Sequence, residues 1–200
     1  MGKITASCDV SLRQWYLSGN DPMAFRQLVE RGDHRMADGF LPTAYSEGCE
    51  LHWIMGMVEL MVYGNELHYA VDLDGEAVGC LNVTRVEGDG RRTGEVHLML
   101  LPEVCGQGVG TRAIGLLTAE AGQRFERLVA HVGRGNTAAA RVLQKNGFRE
   151  EGSRDGRTTY VLTTATHAEK LTDEQRERLA MIRELLEKDG KSKSQKVVKE

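Results

Sequence analysis

The feature that most limits the fold of this chain is the run Cys105-Gly106-Gln107-Gly108-Val109-Gly110-Thr111. It lies between a strand-like stretch, Glu95–Leu101, and an Ala- and Leu-rich helical stretch ending near Gly122–Arg124. Glycine at alternate positions leaves the turn without Cβ atoms, so several backbone N–H groups can converge on one anion. The start of the following helix adds about half a positive charge at the same spot. Such a loop can hold a phosphate group without a lysine, and it can equally be a plain strand-to-helix connection. Spacing excludes two other phosphate loops. A GxxxxGK[ST] loop needs a Lys-Ser or Lys-Thr pair that does not follow here. A Rossmann loop opens a βαβ repeat and has an acidic residue about 20 positions later. Here the loop follows an antiparallel-looking meander, and the next strand, Leu128–Val132, runs into Gly133-Arg134.

The elements around the loop follow from periodicity. Ser11–Leu17 reads as a first strand. Ser18, Asn20, Asp21 and Pro22 then supply turn and helix-start chemistry, and Met23, Phe25, Leu28 and Val29 give a helical stripe through about Arg31. Gly32–Gly48 reads as a loop or broken helical region, and the apolar, Met-rich Leu51–Tyr63 as a well-buried helix. His68–Leu73 and Val78–Val86 are strands joined by Asp74-Gly75, a hairpin signal, with a further turn at Gly88–Arg92. Leu128–Val132 has the short apolar form of a buried strand. Asn136–Lys145 is a helix with Asn136 as N-cap, stopped by Asn146-Gly147, and Tyr160–Thr164 is a last strand.

These elements predict one α/β (α+β) domain over residues 1–166, a mixed, mostly antiparallel sheet flanked by helices. Past it, 167–200 reads as an amphipathic helix and a flexible Lys-rich tail. Thr172–Gln175 has the form of a capping box, and Leu179, Ile182, Leu185 and Leu186 form a narrow apolar stripe. The stripe is a candidate surface for homodimer formation or partner docking, or for packing back on its own domain.

Composition removes several classes of function. A net charge of −3 provides no global field for nucleic acid or an anionic membrane. No apolar run approaches the roughly 20 residues that span a bilayer, and Met1–Val10 lacks a signal-peptide stretch. Cys8, Cys49, Cys80 and Cys105 are scattered, without metal-ligand spacing, which suits reduced thiols in a cytoplasmic protein. No metal is expected.

Gly106-Gln107-Gly108-Val109-Gly110, then Asn136-Thr-Ala-Ala139, then Lys145-Asn-Gly-Phe148 resembles the GNAT superfamily of acyl-CoA-dependent N-acyltransferases. In that family a glycine loop follows a central strand, and an Asn-led helix closes on a Gly-Phe pair. The match is dense over Glu95–Phe148, and the element order extends it across Ser11–Thr164. The Ser11-Leu-Arg opening, the Asp-led first helix and the LPEVCGQGVG phrasing resemble the RimJ/RimL-like subgroup, which acetylates N-terminal amines of ribosomal proteins.

The resemblance implies an N-acetyltransferase moving an acetyl group from acetyl-CoA (coenzyme A) to a primary amine of a small molecule or peptide, by direct transfer in a ternary complex. It places the pyrophosphate on the loop formed by Cys105, Gly106, Gln107, Gly108, Val109, Gly110 and Thr111. Cys105 stands where the family usually has Arg, Gln or an aromatic residue. It is read either as a small apolar filler or as a thiol with lowered pKa. The pantetheine arm would pair with main-chain groups of Leu100 and Leu101, with the donor to the thioester carbonyl near Leu100. Asn136 would contact the coenzyme as well as cap its helix, and Arg141 would meet an adenosine phosphate or stay a solvated charge.

Glu95 and His97 are the candidate bases, placed on one strand face by alternation; a strand-end carboxylate and a structural histidine are the bland readings. The family's helix tyrosine, which protonates the leaving thiolate, is replaced by Leu143. For the acceptor, the Gly32–Tyr63 region offers His52, Trp53, Met55 and Met57, with Glu47, Glu50 and Glu59 as acidic candidates. Two rivals remain. A non-catalytic acyl-CoA sensor would bind coenzyme A without amine-dependent thiol release. An enzyme acting on RNA or charged tRNA would need a basic patch near the site, and the Lys cluster lies in the tail.

Overall fold

The computed structural model describes residues 9–36, 48–63, 66–88 and 92–164. The strands are β1 (Val10–Arg13), β2 (Leu67–Leu73), β3 (Glu76–Val86), β4 (Thr93–Leu100), β5 (Arg127–Gly133), β6 (Arg149–Arg154) and β7 (Arg157–Thr163). They form one seven-stranded sheet in the order β1-β2-β3-β4-β5-β7-β6. Every neighbouring pair is antiparallel except β4–β5, which is parallel. The helices are α1 (Asp21–Arg31), α2 (Glu50–Tyr63), α3 (Val109–Ala121) and α4 (Thr137–Lys145). The fold is the mixed, mostly antiparallel α/β arrangement that the sequence predicts. The Thr172–Gln175 capping box, the Leu179–Leu186 stripe, Glu47 and most of the Gly88–Arg92 turn lie outside the described residues.

Local chemistry accounts for the sheet's turns. Asp74 and Gly75 both take positive φ (53° and 92°) between Leu73 and Glu76, the geometry of a two-residue hairpin whose twist matches its strands. Asp155 and Gly156 repeat it (51° and 77°) between β6 and β7. Strand β6 escapes the sequence reading because all six of its residues are exposed, so no alternation marks it. The first strand is shorter than predicted. The chain leaves the sheet after Arg13 so that Trp15 can bury edge-on against Phe25, ring centroids 5.5 Å apart.

Two cores lie on opposite faces of the sheet. One gathers α3 and α4 with residues such as Leu81, Leu98, Ile114, Leu117, Leu128 and Leu143. The other gathers α1 and α2 with Trp15, Phe25, Leu28, Ile54, Met57 and Met99. The prediction that Leu51–Tyr63 is well buried needs correction. Ile54 and Met57 pack inward, while Leu51, Met55, Leu60, Val62 and Tyr63 are exposed. An apolar composition all round a helix reveals neither which face meets the sheet nor how much stays outside.

Candidate active site

The glycine loop has the geometry its composition suggests. Pro102–Val104 forms a single 3-10 turn, then Gly106 and Gly108 take φ of 76° and 87°, backbone that residues with a Cβ rarely adopt. A Cβ at either position would meet no atom within 4 Å, so the glycines serve the turn and leave space in front of it. At Gly110 the reason differs: a Cβ there would lie 3.3 Å from Leu98 and Leu100, so glycine lets α3 pack close on β4. Gly108 is the N-cap of α3 and offers no side-chain cap, which leaves the helix's first N–H groups for an outside acceptor.

Beside the loop the sheet parts. Parallel pairing of β4 with β5 stops at Glu95↔Val129, while β5 continues to pair with β7 as far as Gly133. Beyond Glu95 the outer edge of β4 is therefore free of β5. Leu101 N–H bonds to Val78 O on β3, so the odd-numbered residues face β3 and Leu98 and Leu100 face the gap. This corrects the expectation for Leu101: its N–H is spent inside the sheet and its carbonyl accepts from Val104 N–H in the turn. Leu100 turns its main chain to the gap. The chain after α1 reaches the same edge. Leu98 N–H donates to Met36 O at 3.2 Å, and Asp33 N–H donates to Leu100 O at 2.8 Å.

A cavity of about 300 Å³ opens here. Among the predicted residues, Leu100, Cys105, Gly106, Gly108, Gly110, Thr111, Asn136 and Arg141 line it. Gln107 and Val109 do not: Gln107 turns its amide back to Glu103 O (2.6 Å), and Val109 is buried in the core. The side chain of Asn136 accepts from Ala139 N–H at 3.1 Å, the predicted N-cap, while the residue also lines the cavity. Replacing it with alanine is expected to cost about 1 kcal/mol of stability, read by denaturant unfolding. Lys145, also in the lining, escaped the sequence reading, although it stands one helical turn beyond Arg141 and hence on the same face.

The charges in this cavity suit an anion. Arg141, Lys145 and Arg35 all line the cavity that holds the first turn of α3. Arg35 binds Asp33 through two side-chain contacts (2.6 and 2.7 Å), which hold the Asp33 carboxyl below its ordinary range. Burial and the Asp33 charge push the Cys105 thiol up, outweighing Arg35, which runs against the lowered-pKa reading. Leu98, Leu100, Met36, Ala139 and Val142 give the rest of the lining an apolar character. An uncapped helix start, the cations Arg141 and Lys145, and an apolar slot fit coenzyme A, whose phosphates and pantetheine chain need these surroundings.

On the opposite sheet face a polar row crosses the strands. His68 on β2 lies opposite Asn82 on β3, which lies opposite His97 on β4. His68 Nδ1 is 3.1 Å from Asn82 Oδ1, and its Nε2 is 2.8 Å from Glu66 Oε2. His97 Nε2 is 3.1 Å from Thr84 Oγ1. Burial lowers the His97 pKa; Glu95 and Glu66 oppose this, while His68 and His131 add to it. Glu95 is half-buried on the same face, as alternation predicts. His68, Asn82 and His131 were missed. Each is a polar residue inside an apolar strand, a signal visible along the chain, but only the register aligns them.

The other candidate residues lie outside the cavity lining. Of the α2 candidates, Met57 packs in the core, Trp53 is half-buried, and His52 and Met55 face outward. Glu50 is buried, and Glu59 is exposed. Leu143 is wholly buried in the core and does not line the cavity. Among the described residues no helix is long and apolar enough to cross a membrane.

Solved structures share this architecture. RimL, a ribosomal L7/L12 α-N-protein acetyltransferase in complex with coenzyme A, aligns with a TM-score of 0.63 at 19% identity, over 78% of this chain and 94% of its own. Mycobacterium smegmatis RimJ in complex with CoA-disulfide aligns with a TM-score of 0.58 at 24% identity, over 77% and 81%. The microcin C7 self-immunity acetyltransferase MccE, in complex with acetyl-CoA and AMP, gives 0.61 at 15% identity, over 77% and 92%. No curated protein matches the sequence. The family described as Acetyltransferase (GNAT) domain matches residues 10–149, the span that carries the meander, the glycine loop and the Asn136 helix. The chain therefore belongs to the GNAT family of acetyltransferases, with acetyl-CoA as its acyl donor.

Proposed function

We propose that this acetyltransferase moves the acetyl group to a primary amine by direct attack within a ternary complex. The observation that carries the reading is the parting of β4 from β5, with the anion-suited cavity beside it and the Glu95–His97 row on the sheet face away from α3 and α4. Donor and acceptor can then approach from opposite faces and meet in the gap. Leu100, whose main chain faces the gap, is the donor to the thioester carbonyl, and the first turn of α3 with Asn136 and Arg141 holds the phosphates. Glu95 and His97 receive the proton that the amine must lose before it can attack. The neighbours named for ribosomal-protein N-terminal acetylation and for microcin immunity support two acceptor classes, a peptide N-terminus and a small-molecule amine.

The test is release of free thiol from acetyl-CoA across N-terminal peptides, polyamines and aminoglycosides, with coenzyme A binding followed by calorimetry. Amine-dependent release is expected. Glu95→Gln should lower kcat by about tenfold or more with coenzyme A affinity unchanged. Tight coenzyme A binding with no amine-dependent release would move the chain to the sensor class.

A further inference from the structure

The gap between β4 and β5 has two lips, and each carries an imidazole. Two residues past the last paired positions, Glu95 and Val129, stand His97 on β4 and His131 on β5. The strands are parallel, so alternation turns both side chains to the same sheet face. Each is held from behind by its other neighbour. His131 pairs with Thr159 on β7, Nδ1 3.1 Å from Oγ1; His97 pairs with Asn82 on β3 and contacts Thr84. The two rings are also within electrostatic reach, because a charge on His131 disfavours one on His97.

We propose that His131 is a second catalytic residue of this site: it takes the proton from the attacking amine and returns it to the departing coenzyme A thiolate. This rests on the acetyl-transfer reading above. The amine lone pair forms the N–C bond, and the amine proton passes to His131 Nε2. The C–S bond then breaks with its electron pair on sulfur, and the same proton moves from Nε2 to sulfur. His131 ends as it began, and an acceptor that arrives as an ammonium gives its extra proton to Glu95 and His97 before the attack. The shuttle uses the tautomer in which Nδ1–H donates to Thr159 Oγ1 and the Nε2 lone pair is left for the amine.

One observation favours His131 over His97 for this shuttle. His131 is half-buried, so its cation keeps partial hydration, whereas His97 is only 6% exposed and burial disfavours its charged form. The helix tyrosine that the family resemblance implies as the acid is replaced here by Leu143, which packs in the core. A base that becomes the acid supplies what α4 lacks.

The experiment uses the full chain as wild type, His131→Gln, His131→Asn and Thr159→Val. Thiol release is measured over the amine panel, with coenzyme A affinity by calorimetry and histidine titrations by ¹³C-edited NMR. Both His131 variants should bind coenzyme A within about twofold of wild type and lose about a hundredfold in kcat, and Thr159→Val should lose about tenfold. The His97 titration should move to higher pH when His131 is replaced. An active wild type whose His131 variants keep more than a third of kcat overturns the proposal. If no amine is turned over by wild type, the acetyl-transfer reading fails first. The spectra then decide the pairing, and a His97 titration unmoved by His131→Gln overturns this proposal too.

Discussion

Gly108→Val is expected to weaken coenzyme A binding about a hundredfold while the domain stays folded. The backbone at Gly108 has φ of 87°, and a Cβ there would point into open space in front of the first turn of α3. On the proposed reading, that open space is where the phosphate oxygens come to reach the uncapped N–H groups. A branched side chain fills it and pulls the turn from the left-handed region, at a cost of about 1–2 kcal/mol. Losing two hydrogen bonds to a charged phosphate, at about 1.5 kcal/mol each, corresponds to roughly a hundredfold in affinity. Gly156→Ala is the control, since Gly156 has similar φ (77°) and equally open surroundings but belongs to the β6–β7 hairpin. It should lose similar stability and no affinity. Calorimetry with coenzyme A, beside thermal unfolding, separates the two. A Gly108→Val protein that binds within fivefold of wild type would contradict the assignment of the loop.

Arg13→Ala should produce the largest loss of stability, about 2–3 kcal/mol, or roughly 4–12 °C in Tm. Arg13 lies at the end of β1 and joins three elements. Its guanidinium binds Asp21 on α1 at 2.6 and 2.9 Å and Asp72 on β2 at 2.7 Å, and both carboxylates are buried. Without Arg13 they lose their counter-charge and cannot regain water. Burial alone would push Asp21 up, but the Arg13 hydrogen bonds, Tyr16 N–H and the Arg13 charge together hold it below the ordinary carboxylate range. The sign follows from linkage. A carboxyl whose folded pKa is depressed stabilises the fold above its unfolded value near 4, and that contribution is lost as the pH falls through the folded value. In Arg13→Ala protonation instead relieves a buried charge. The stability gap between wild type and variant should therefore be widest near pH 6 and narrow toward pH 3, as measured by urea unfolding across that range. A gap independent of pH would show that Arg13 acts through packing alone.

Much of the architecture could be read from short-range chemistry. Asp74-Gly75 declared a two-residue hairpin because both positions need positive φ. Asn136 declared a helix start because its side chain can reach the N–H three residues on. Gly106 and Gly108 marked a turn open to an anion, and the order of elements around that loop was enough to suggest the family. Each signal involves residues within a few positions of one another, where covalent geometry leaves few choices. Asp155-Gly156 was equally legible, but its partner strand β6 offered no buried face to confirm it.

The site itself was legible only in pieces. Glu95 and His97 follow from alternation on one strand, and Arg141 from its helix. Lys145 could have been found by the same helical spacing. The polar row could not, since His68, Asn82, His97 and His131 are brought together by registers between distant strands. Nor does any local rule say that β4 and β5 stop pairing at Glu95↔Val129, or that Met36 O meets Leu98 N–H in the opening. The sequence alone determined the local turns, the caps, the glycine loop and the class of the fold, because these depend on backbone preference and on side-chain period. Only the tertiary structure decided where the sheet parts, which of Leu100 and Leu101 faces the gap, and which imidazoles share it. Those outcomes rest on hydrogen-bond register and on competition for burial between elements far apart in the chain, and neither is encoded in any single stretch.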